Sequence, residues 1–427
     1  MKRETKRLFT SEHVSPGHPD KVCDQISDAV LDAHYSENPS TSTRVAVETL
    51  VKGGKVVLAG EITSKTNIEY QKLVRSTLED IGYIPEVSPV FNTKDFDLET
   101  LFTGQSPDID ACVSKKEIGA GDQGIMFGYA VNEAPDLTGW AHFIARNIVS
   151  ELWKMKLAND STGMHSICPD YKVQVTMDYS EKNPKVDTVL VSVSHTRDTD
   201  LGELKNSVER LVRNSISAIA TISHVGHDLT GNDSELLDDS NYKVLVNPYG
   251  PFTVFGPFAD SGLTGRKIVC DQYGGYAPVG GGAFSGKDLT KVDRTAAYMA
   301  RYVAKNILNM FKRGSLRLDD RLTGRLVRSL GTTERKYKDC SVEVAYIIGQ
   351  AEPVSVSVNL RDNQGREYSL DNEIVSELFD EDIYEMFKPE RIIDRLKLFA
   401  VDYSEVAKFG HIGEDTSHVR KPWEALI

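Results

Sequence analysis

The apolar and polar positions along this chain repeat one plan three times. Two apolar strands joined by a turn are followed by a segment with helical spacing, and the strand pairs cover 44–62, 172–195 and 340–362. Gly53-Gly54 is a strong hairpin signal in the first pair. Because the three repeats lack a strict alternation of single strands and helices, we predict three similar α+β domains, with helices on one face of each mostly antiparallel sheet.

Two further helices are predicted outside these repeats. Pro19 suits a first helical turn and precedes apolar residues at helical spacing, and a second apolar stripe begins at Val292. Asp24, Asp28 and Asp32 recur every fourth residue on the first of these helices. We expect this row of acids to form its water-facing side.

Length, charge and cysteine content narrow the class of protein. A chain of 427 residues is long enough for two or three domains, and its net charge of -13 argues against a general nucleic-acid or membrane-surface binder. The basic start is followed by no apolar signal region, and no apolar run has transmembrane length, so we expect a cytoplasmic protein. The cysteines are far apart and form no C-x-x-C pair, which predicts reduced thiols rather than disulfides or a zinc site: Cys23, Cys112, Cys168, Cys270 and Cys340.

A glycine-rich stretch, GGGAFSGKD at 280–288, almost matches the P-loop pattern. Gly281, Gly286 and Lys287 fit, but Asp288 occupies the position of the Ser or Thr that binds magnesium. From the pattern alone it could be a damaged P-loop, a different phosphate-binding loop or a simple glycine-rich turn.

Cations and carboxylates concentrate on this loop and on the preceding turn at 259–267. The charged residues concerned are Asp260, Arg266, Lys267, Lys287, Lys291 and Asp293. A solvated surface explains them poorly, because the cations occupy turns around an apolar stretch. We predict a polyphosphate site in which a carboxylate holds magnesium.

Two other turns are weaker candidates for function. The stretch SPGHPDK at 15–21 sets His18 and Asp20 on a stiff turn at a helix N-terminus, where anions are favoured. Asp20 could equally be an ordinary first-turn acid. The turn GAGDQG at 119–124 carries one acid, Asp122, and a flexible hinge would explain it as well.

The first hairpin places two carboxylates on one face. If Gly53-Gly54 is a two-residue turn, Ala46 opposes Glu61 and Glu48 opposes Ala59, so that the two glutamates are diagonal neighbours. The remaining residues on both faces are mostly apolar. If both faces are covered, each carboxylate needs a cation or a donor, supplied by an internal salt bridge, a ligand ammonium or a bound metal cation.

Taken in order, these motifs resemble the S-adenosylmethionine synthetase (methionine adenosyltransferase) family over essentially the whole chain. The matching stretches are GHPDK at 17–21, GEIT at 60–63, QSPDI at 105–109, GAGDQG at 119–124, GLTGRK at 262–267 and GGGAFSGKD at 280–288. The resemblance implies three similar α+β domains about a pseudo-threefold axis, and a dimer or dimer of dimers with active sites between subunits. It also makes Asp288 the expected residue of a phosphate-binding loop that is not a P-loop.

The implied reaction joins ATP and L-methionine. The methionine sulfur attacks C5′ of ATP and displaces tripolyphosphate, which is hydrolysed to phosphate and diphosphate. Rival hypotheses are a P-loop kinase or ATPase, which the Asp288 mismatch disfavours, and an inactive regulatory subunit, which would lack some of the charged residues. No nucleic acid or membrane partner is expected.

The resemblance also assigns roles to residues. The catalytic and ATP contacts would be His18, Asp170, Lys172, Phe252, Asp260, Arg266, Lys267, Ala283 and Lys287. The methionine pocket would comprise Glu61, Gln105, Asp260 and Lys291. Asp20 and Asp293 would hold two Mg²⁺ ions and Glu48 a K⁺ ion, and Asp122 would belong to the segment that closes the site.

We place the domains at 6–105, 119–253 and 254–427. Residues 106–118 between the first two have few large apolar residues, so we expect a mobile active-site loop rather than an ordered surface loop. The chain departs from the family at CPDYKVQ (168–174), where the family usually has Arg-Pro-Asp-Gly/Ala-Lys-Ser-Gln. The connection at 311–339 is unusually long, and we predict that it forms a short amphipathic helix packed on its own domain, with a new oligomer contact as the alternative.

Overall fold

The structure is a computed structural model, which describes residues 6–37, 39–89, 91–104, 117–157, 167–230, 236–313, 324–326, 330, 336–414 and 419–427. Its strands are β1 (Leu8–Val14), β2 (Arg44–Lys52), β3 (Lys55–Thr63), β4 (Asp97–Thr103), β5 (Gly124–Val131), β6 (Ile167–Asp178), β7 (Lys185–His195), β8 (Lys243–Val246), β9 (Gly262–Leu263), β10 (Tyr337–Tyr346), β11 (Ser355–Asp362) and β12 (Glu367–Leu370).

The helices are interleaved with these strands. They are α1 (Pro19–Glu37), α2 (Tyr70–Ile81), α3 (Trp140–Leu157), α4 (Leu201–Thr230), α5 (Gly256–Ala259), α6 (Ile268–Asp271), α7 (Val292–Arg313), α8 (Asn372–Phe379), α9 (Ile383–Met386), α10 (Pro389–Leu396) and α11 (Tyr403–Lys408), with short 3-10 turns at Leu398–Ala400 and Pro422–Glu424.

The strands form three four-stranded sheets, in the orders β4-β3-β2-β9, β1-β6-β7-β8 and β12-β11-β10-β5. Most neighbouring strands are antiparallel, and among the described strands only the pairs β3–β4 and β7–β8 are parallel. Those two parallel pairs are each joined through a helix, α2 or α4. In the third sheet β12 instead pairs antiparallel with β11, so that its helix follows a third strand rather than the hairpin. The predicted class, α+β with three similar units and mostly antiparallel sheets, is confirmed.

Each sheet takes its fourth strand from a distant part of the chain. The strand β9 joins the β2–β3 hairpin, β1 joins the β6–β7 hairpin, and β5 joins the β10–β11 hairpin. The exchange is cyclic, because the first, second and third parts of the chain each lend one strand to the next. No sequence pattern predicted it, and the domain limits given above stay a prediction.

One long helix lies against each sheet. Helix α1 packs on β2 and β9, α3 packs on β1 and β6, and α7 packs on β5 and β10. In each case the helix covers the borrowed strand together with the first strand of the hairpin. Further helices, α2, α4 and α10, pack against α1, α3 and α7. This arrangement agrees with helices on one face of each sheet.

The register predicted for the first hairpin is confirmed. Ala46 opposes Glu61, and Glu48 opposes Ala59. The expectation that both faces would be covered is wrong for the single chain, because Glu48 and Glu61 are exposed together with Leu50 on their outward face. Strand propensity predicts pairing but does not report what packs on each side of a sheet.

Three remaining expectations concern the cysteines, the long connection and the membrane. Every cysteine that is described is a buried free thiol, and Cys112 lies outside the described residues.

Within 311–339, Leu326 and Leu330 are buried and Arg325 pairs with Glu377 of α8, which agrees with packing on its own domain. Among the described residues, no helix is long and apolar enough to cross a membrane.

A buried charge cluster ties the C-terminal tail to α7. The Glu424 carboxylate accepts hydrogen bonds from Arg301 Nη2 and Lys305 Nζ, each at 2.9 Å, and from the Gly413 N–H at 2.7 Å. Arg301 also donates to the Tyr129 carbonyl at the end of β5. Burial alone would raise the pKa of Glu424, but the charges of Arg301 and Lys305 hold it well below its usual range.

We predict that Glu424→Gln lowers the free energy of unfolding by about 3–5 kcal/mol, because buried Arg301 loses its carboxylate partner and Lys305 keeps only the exposed Glu414. Glu209→Gln, which removes an exposed partner of Arg213, should change it by less than about 1 kcal/mol. Urea denaturation measures both. Since the folded pKa of Glu424 is depressed, its stabilisation is present above the unfolded pKa of about 4.3 and is lost as pH falls below it. A deficit that stayed constant down to pH 2 would contradict this assignment.

Candidate active site

The turn before α1 is fixed to β6 on both sides. Ser15 Oγ donates to the Pro169 carbonyl at 2.7 Å and accepts from the Tyr171 N–H at 2.9 Å. The Tyr83 hydroxyl donates to the Gly17 carbonyl, and a Cβ on Gly17 would lie 2.3 Å from Pro169. Only glycine fits there, so this turn is rigid, as its prolines and glycine predicted.

Asp20, in the first turn of α1, forms a first charge cluster with Arg266 and Lys267. Its carboxylate is 1% exposed and accepts from the Leu263 N–H at 3.0 Å and from Lys267 Nζ at 2.5 Å. Arg266 Nε lies 3.4 Å from the same carboxylate. The structure therefore brings Asp20 together with two neighbouring cations that lie more than two hundred positions away in the sequence.

His18 borders this cluster as a neutral ring. Burial, reinforced by the charge of Lys267, lowers the pKa of His18 to about 3. Its Nδ1 accepts from the Asp20 N–H at 3.2 Å. A neutral imidazole that accepts at one nitrogen carries its proton on the other, so His18 offers an N–H donor at Nε2.

Strand β6 contributes Asp170 and Lys172 on one side. Asp170 Oδ2 accepts from the Gly256 N–H at 2.8 Å, and Lys172 pairs with Glu12 on β1 at 2.7 Å. Burial raises the pKa of Asp170 to about 7; the Gly256 N–H and Lys267 oppose this rise, whereas Asp260 and Asp20 increase it. Asp260 itself is exposed.

Three residues of β6 depart from the family pattern, and the structure shows on which side of the strand they lie. Tyr171 and Val173 are buried on the side opposite Asp170 and Lys172, and the Tyr171 hydroxyl donates to the Val149 carbonyl of α3. These two replacements thus change the core rather than the face that carries the site. Cys168 is also buried, and burial raises the pKa of its thiol to about 12.

Phe252 is partly buried and is bound to His195 at the end of β7. The Phe252 N–H donates to His195 Nε2 at 3.0 Å, and the His195 N–H donates to the Phe252 carbonyl at 3.0 Å. His195 Nδ1 lies 2.8 Å from the Thr196 carbonyl. His195 was not predicted from the sequence, because no motif surrounds it.

The loop at 280–288 lies along the edge of β2. The Val47 N–H donates to the Gly286 carbonyl at 3.1 Å, and the Asp288 N–H donates to the Val45 carbonyl at 2.9 Å. Gly286 has φ +81° and would meet the Val47 oxygen at 1.9 Å if it carried a Cβ, so no other residue fits. Two backbone groups of this loop are therefore used in pairing with β2 and are not free to surround a phosphate. This agrees with the implication of the resemblance that the loop is not a P-loop.

This loop and the start of α7 form a second charge cluster. Lys287 Nζ lies 2.6 Å from Asp293, and Lys291 Nζ lies 2.6 Å from Asp288. Asp288 is fully buried, and although burial alone would raise its pKa, Lys291 and hydrogen bonds from Thr290 hold it below its usual value.

Two glycine-rich turns border the second cluster. A Cβ on Gly282 would lie 2.2 Å from Asp293, and the Gly121 N–H donates to the Thr290 carbonyl at 3.1 Å. Asp122 is exposed beside that contact. Ala283 lies against Gly265 of the other loop, where the two clusters approach each other. Among the described residues, no hydrogen bond or ion pair joins a charged member of one cluster to a charged member of the other.

The remaining predicted site residues lie on or beside the first sheet. Glu48 and Glu61 project from its exposed face. An isolated bridge pairs Ala46 of that face with Lys287, so the second cluster adjoins these glutamates. Gln105 and the rest of the predicted mobile loop up to residue 116 lie outside the described residues.

The acids of α1 overturn one expectation. Asp24 and Asp28 are fully buried, and Asp32 is partly buried, so that they do not form a water-facing side. Together with Asp20 they make an aspartate row in which each carboxylate accepts backbone N–H groups from a distant loop. The donors are Leu263 for Asp20, Gly265 for Asp24, Gly286 for Asp28, and Tyr403 and Ser404 for Asp32.

Buried cations accompany two members of the aspartate row. Lys21 lies 3.1 Å from Asp24 and 2.6 Å from Asp271, and Arg294 holds Asp28 through two bonds of 2.8 Å. The spacing alone could not reveal these roles, since the covering loops come from the far end of the chain. The available signal was the glycines in those loops, whose bare backbone N–H groups need an acceptor when buried.

Comparison with known proteins agrees with this geometry. Three family models match in chain order: the S-adenosylmethionine synthetase N-terminal domain at 6–107, the central domain at 117–252, and the C-terminal domain at 254–314 and 325–425. The three models are the successive domains of one class of enzymes, the S-adenosylmethionine synthetases. The chain belongs to the S-adenosylmethionine synthetase family.

Curated relatives cover nearly the whole chain. The S-adenosylmethionine synthase of Petrotoga mobilis is 38% identical over 439 residues, covering 99% of this chain and 96% of the relative. Those of Pseudothermotoga lettingae and Staphylococcus epidermidis are each 39% identical over 438 and 436 residues, covering 99% of this chain and 97% and 96% of the relatives.

We predict that the His18 ring stays neutral across the physiological range in the ligand-free protein, because burial and Lys267 disfavour the imidazolium. In NMR spectra assigned with a His18→Gln variant, its ring resonances should not shift between pH 8 and pH 5. Since the folded pKa is depressed below the unfolded value of about 6.5, the same desolvation makes His18 destabilising as pH falls below that value. A titration midpoint near pH 6.5 would show that the ring is not held as described.

Proposed function

We propose that the protein synthesises S-adenosylmethionine from ATP and L-methionine. Family membership and the names of the relatives support the reaction. The observation that supports particular residues is the pair of charge clusters along α1, which together offer four cations and three carboxylates beside rigid glycine-rich loops. Such a site suits a ligand with many anionic oxygens.

The chemistry requires charge stabilisation rather than a base. The methionine sulfur attacks C5′ of ATP, a carbon–sulfur bond forms, and the C5′–oxygen bond breaks so that tripolyphosphate leaves with the bonding electrons. A thioether carries no proton, and no general base is needed. Negative charge grows on the leaving oxygen, where fixed cations and N–H donors are most effective. Water then cleaves the tripolyphosphate to phosphate and diphosphate.

Residues of the first cluster and its neighbours would bind ATP. His18, with its proton on Nε2, donates a hydrogen bond towards the departing oxygen. Lys172, Arg266 and Lys267 contact the triphosphate, Asp170 contacts the nucleoside, and Phe252 stacks on adenine. From the second cluster, Lys287 reaches the triphosphate and Ala283 lies beside the nucleoside.

The methionine pocket would combine the exposed sheet face with the second cluster. Glu61 attracts the ammonium group, and Lys291, Gln105 and Asp260 complete the pocket. Lys291 is paired with Asp288 in the ligand-free protein, and this pair keeps the lysine at a fixed place. Asp122 lies in the segment that closes over the bound substrates.

The donor set fits magnesium. Asp20 and Asp293 present hard carboxylate oxygens, and the described residues contain no group of three or more metal-binding side chains that could hold an ion alone. Magnesium is commonly held by one or two carboxylates plus substrate phosphates, as two ions would be here. When bound, it neutralises phosphate charge. Glu48 would give one oxygen to potassium.

Both carboxylates proposed to hold magnesium are paired with lysines in the structure. Asp20 pairs with Lys267 and Asp293 with Lys287, and each of these lysines would also contact the triphosphate. A bound triphosphate attracts both lysines away from the carboxylates. The carboxylates then regain free oxygens. Metal and triphosphate would therefore bind cooperatively, each favouring the other.

A second copy of the chain would complete the site. The outward face of the first sheet exposes Leu50 and Leu101, 37% and 56% of their surface, around Glu48 and Glu61. Apolar faces of this kind mark protein–protein contacts. A dimer through this face, alone or within a dimer of dimers, would bury the two glutamates and bring the first cluster of one protomer to the second cluster of its partner.

The direct test incubates the protein with ATP, L-methionine, Mg²⁺ and K⁺, followed by mass detection of products. We expect S-adenosylmethionine, phosphate and diphosphate in equal amounts. Formation of ADP would indicate a kinase or ATPase instead, and ATP binding without turnover would indicate a regulatory subunit.

We predict that Mn²⁺, used as a probe for magnesium, binds the free protein weakly. It should bind about ten-fold or more tightly when diimidotriphosphate, a non-hydrolysable tripolyphosphate analogue, is present. Lys287→Met should tighten Mn²⁺ binding in the absence of the analogue, because Asp293 is no longer neutralised. Electron paramagnetic resonance measures bound Mn²⁺, with protein-free analogue as the blank.

The matched control is Lys172→Met, which removes the same charge from a pair with Glu12 rather than from a magnesium carboxylate. It should leave Mn²⁺ affinity nearly unchanged. Equal tightening in the two variants would reduce the effect to net charge and would count against the lysine exchange.

A further inference from the structure

We infer that Asp28 and Arg294 form a positioning pair that sets the direction of Lys287 towards the triphosphate. The inference rests on the proposed function, because it assumes that Lys287 binds the triphosphate. Neither residue touches substrate; both act through the loop backbone. Because the aspartate row was expected to be solvated, this role could not be predicted from the sequence pattern.

The pair grips the loop on both sides of one peptide unit. Asp28 Oδ1 accepts the Gly286 N–H at 2.9 Å, and Arg294 Nη1 donates to the Lys287 carbonyl at 3.1 Å. Asp28 and Arg294 are joined by two bonds of 2.8 Å, and both side chains are fully buried. One ion pair thus holds the Gly286 N–H and the Lys287 carbonyl, which lie on either side of the peptide unit that joins these two residues.

Arg294 is itself held in place. Its Nε donates to the Tyr298 hydroxyl at 3.1 Å, and its guanidinium lies 4.2 Å from the centre of the Tyr403 ring. The planar fork of arginine can satisfy Asp28, the Lys287 carbonyl and Tyr298 together, which a lysine ammonium cannot do with the same geometry.

The loop needs such a clamp because its own residues cannot supply one. Three glycines at 280–282 and Gly286 have no side chain to pack, and Lys287 is partly exposed with its Nζ at Asp293. The backbone pairing with the edge of β2 fixes the position of the loop along that strand. The Asp28–Arg294 pair adds the constraint on the peptide that carries Lys287. A displacement of about 1 Å in a charged contact can reduce activity on the order of a hundred-fold.

The competing explanation is that the pair only stabilises the fold, as buried ion pairs can. Asp32 provides a control from the same helix. It lies one turn further on and accepts two backbone N–H groups, from Tyr403 and Ser404, and no hydrogen bond within the described residues joins it to the loop at 280–288. A purely structural role of Asp28 would appear as lower thermal stability, with the affinity for the triphosphate analogue unchanged in the folded protein.

The experiment measures the affinity of diimidotriphosphate with Mg²⁺ by titration calorimetry on the full chain. Asp28→Asn keeps an acceptor for the Gly286 N–H but removes the charge that orients Arg294, so we expect the dissociation constant to rise on the order of ten-fold or more. Asp32→Asn should bind the analogue as the unaltered protein does. Thermal unfolding of both variants reports any common loss of stability.

A double-mutant cycle with Lys287→Met decides the mechanism. If Asp28 acts through Lys287, adding Asp28→Asn to Lys287→Met should produce little further loss of affinity. Full additivity would overturn the inference, and so would an unchanged dissociation constant in Asp28→Asn. Should Asp28→Asn fail to fold, Arg294→Lys serves in the same cycle, because it retains the buried charge and loses only the fork.

These outcomes are separate from those of the proposed function. If the unaltered protein bound the analogue but made no S-adenosylmethionine, the proposed reaction would fail while the cycle still tested the positioning pair. If it made S-adenosylmethionine and the cycle were additive, only the positioning role would be lost.

Discussion

The structure depends on the acceptance of backbone N–H groups by buried carboxylates along α1. A carboxyl group removed from water needs hydrogen-bond donors or cations around it, and four such groups stand one turn apart on a single helix. Their N–H donors come from three distant segments: residues 263–265 for Asp20 and Asp24, the loop at 280–288 for Asp28, and the start of α11 for Asp32. The loops of the two charge clusters bond to Asp20 and Asp28, which lie two turns apart on α1. The pitch of this helix therefore sets the distance between the two clusters.

Sequence reasoning succeeded where a local rule determines the outcome. The turn at Gly53-Gly54 defined the register of the first hairpin, and the failed hydroxyl position at Asp288 separated the loop from true P-loops. Both features depend on residues within a few positions of each other. The assignment of site residues came from motif order instead and remains a prediction, although the structure gathers six of these residues into the two charge clusters.

Sequence reasoning failed where the partner of a residue is remote. A row of acids at helical spacing is the same pattern whether water or glycine-rich loops cover it, and so Asp24 and Asp28 were assigned to the wrong environment. His195 and Arg294 lack any flanking motif, and their roles depend on contacts with segments far along the chain. The borrowed strands were missed for the same reason, since a strand that pairs only with a distant hairpin carries no turn signal.

The cyclic lending of β1, β5 and β9 has a consequence for how the chain acquires its structure. The strand β1 cannot pair with its neighbour until β6 has been made, and β5 must wait for β10. Such distant pairings delay folding and leave strand edges open in the meantime. A fragment that ended between the repeats would keep an unpaired edge and be prone to associate with other chains. Because each repeat completes its sheet with a strand from another, the three repeats are not independent folding modules.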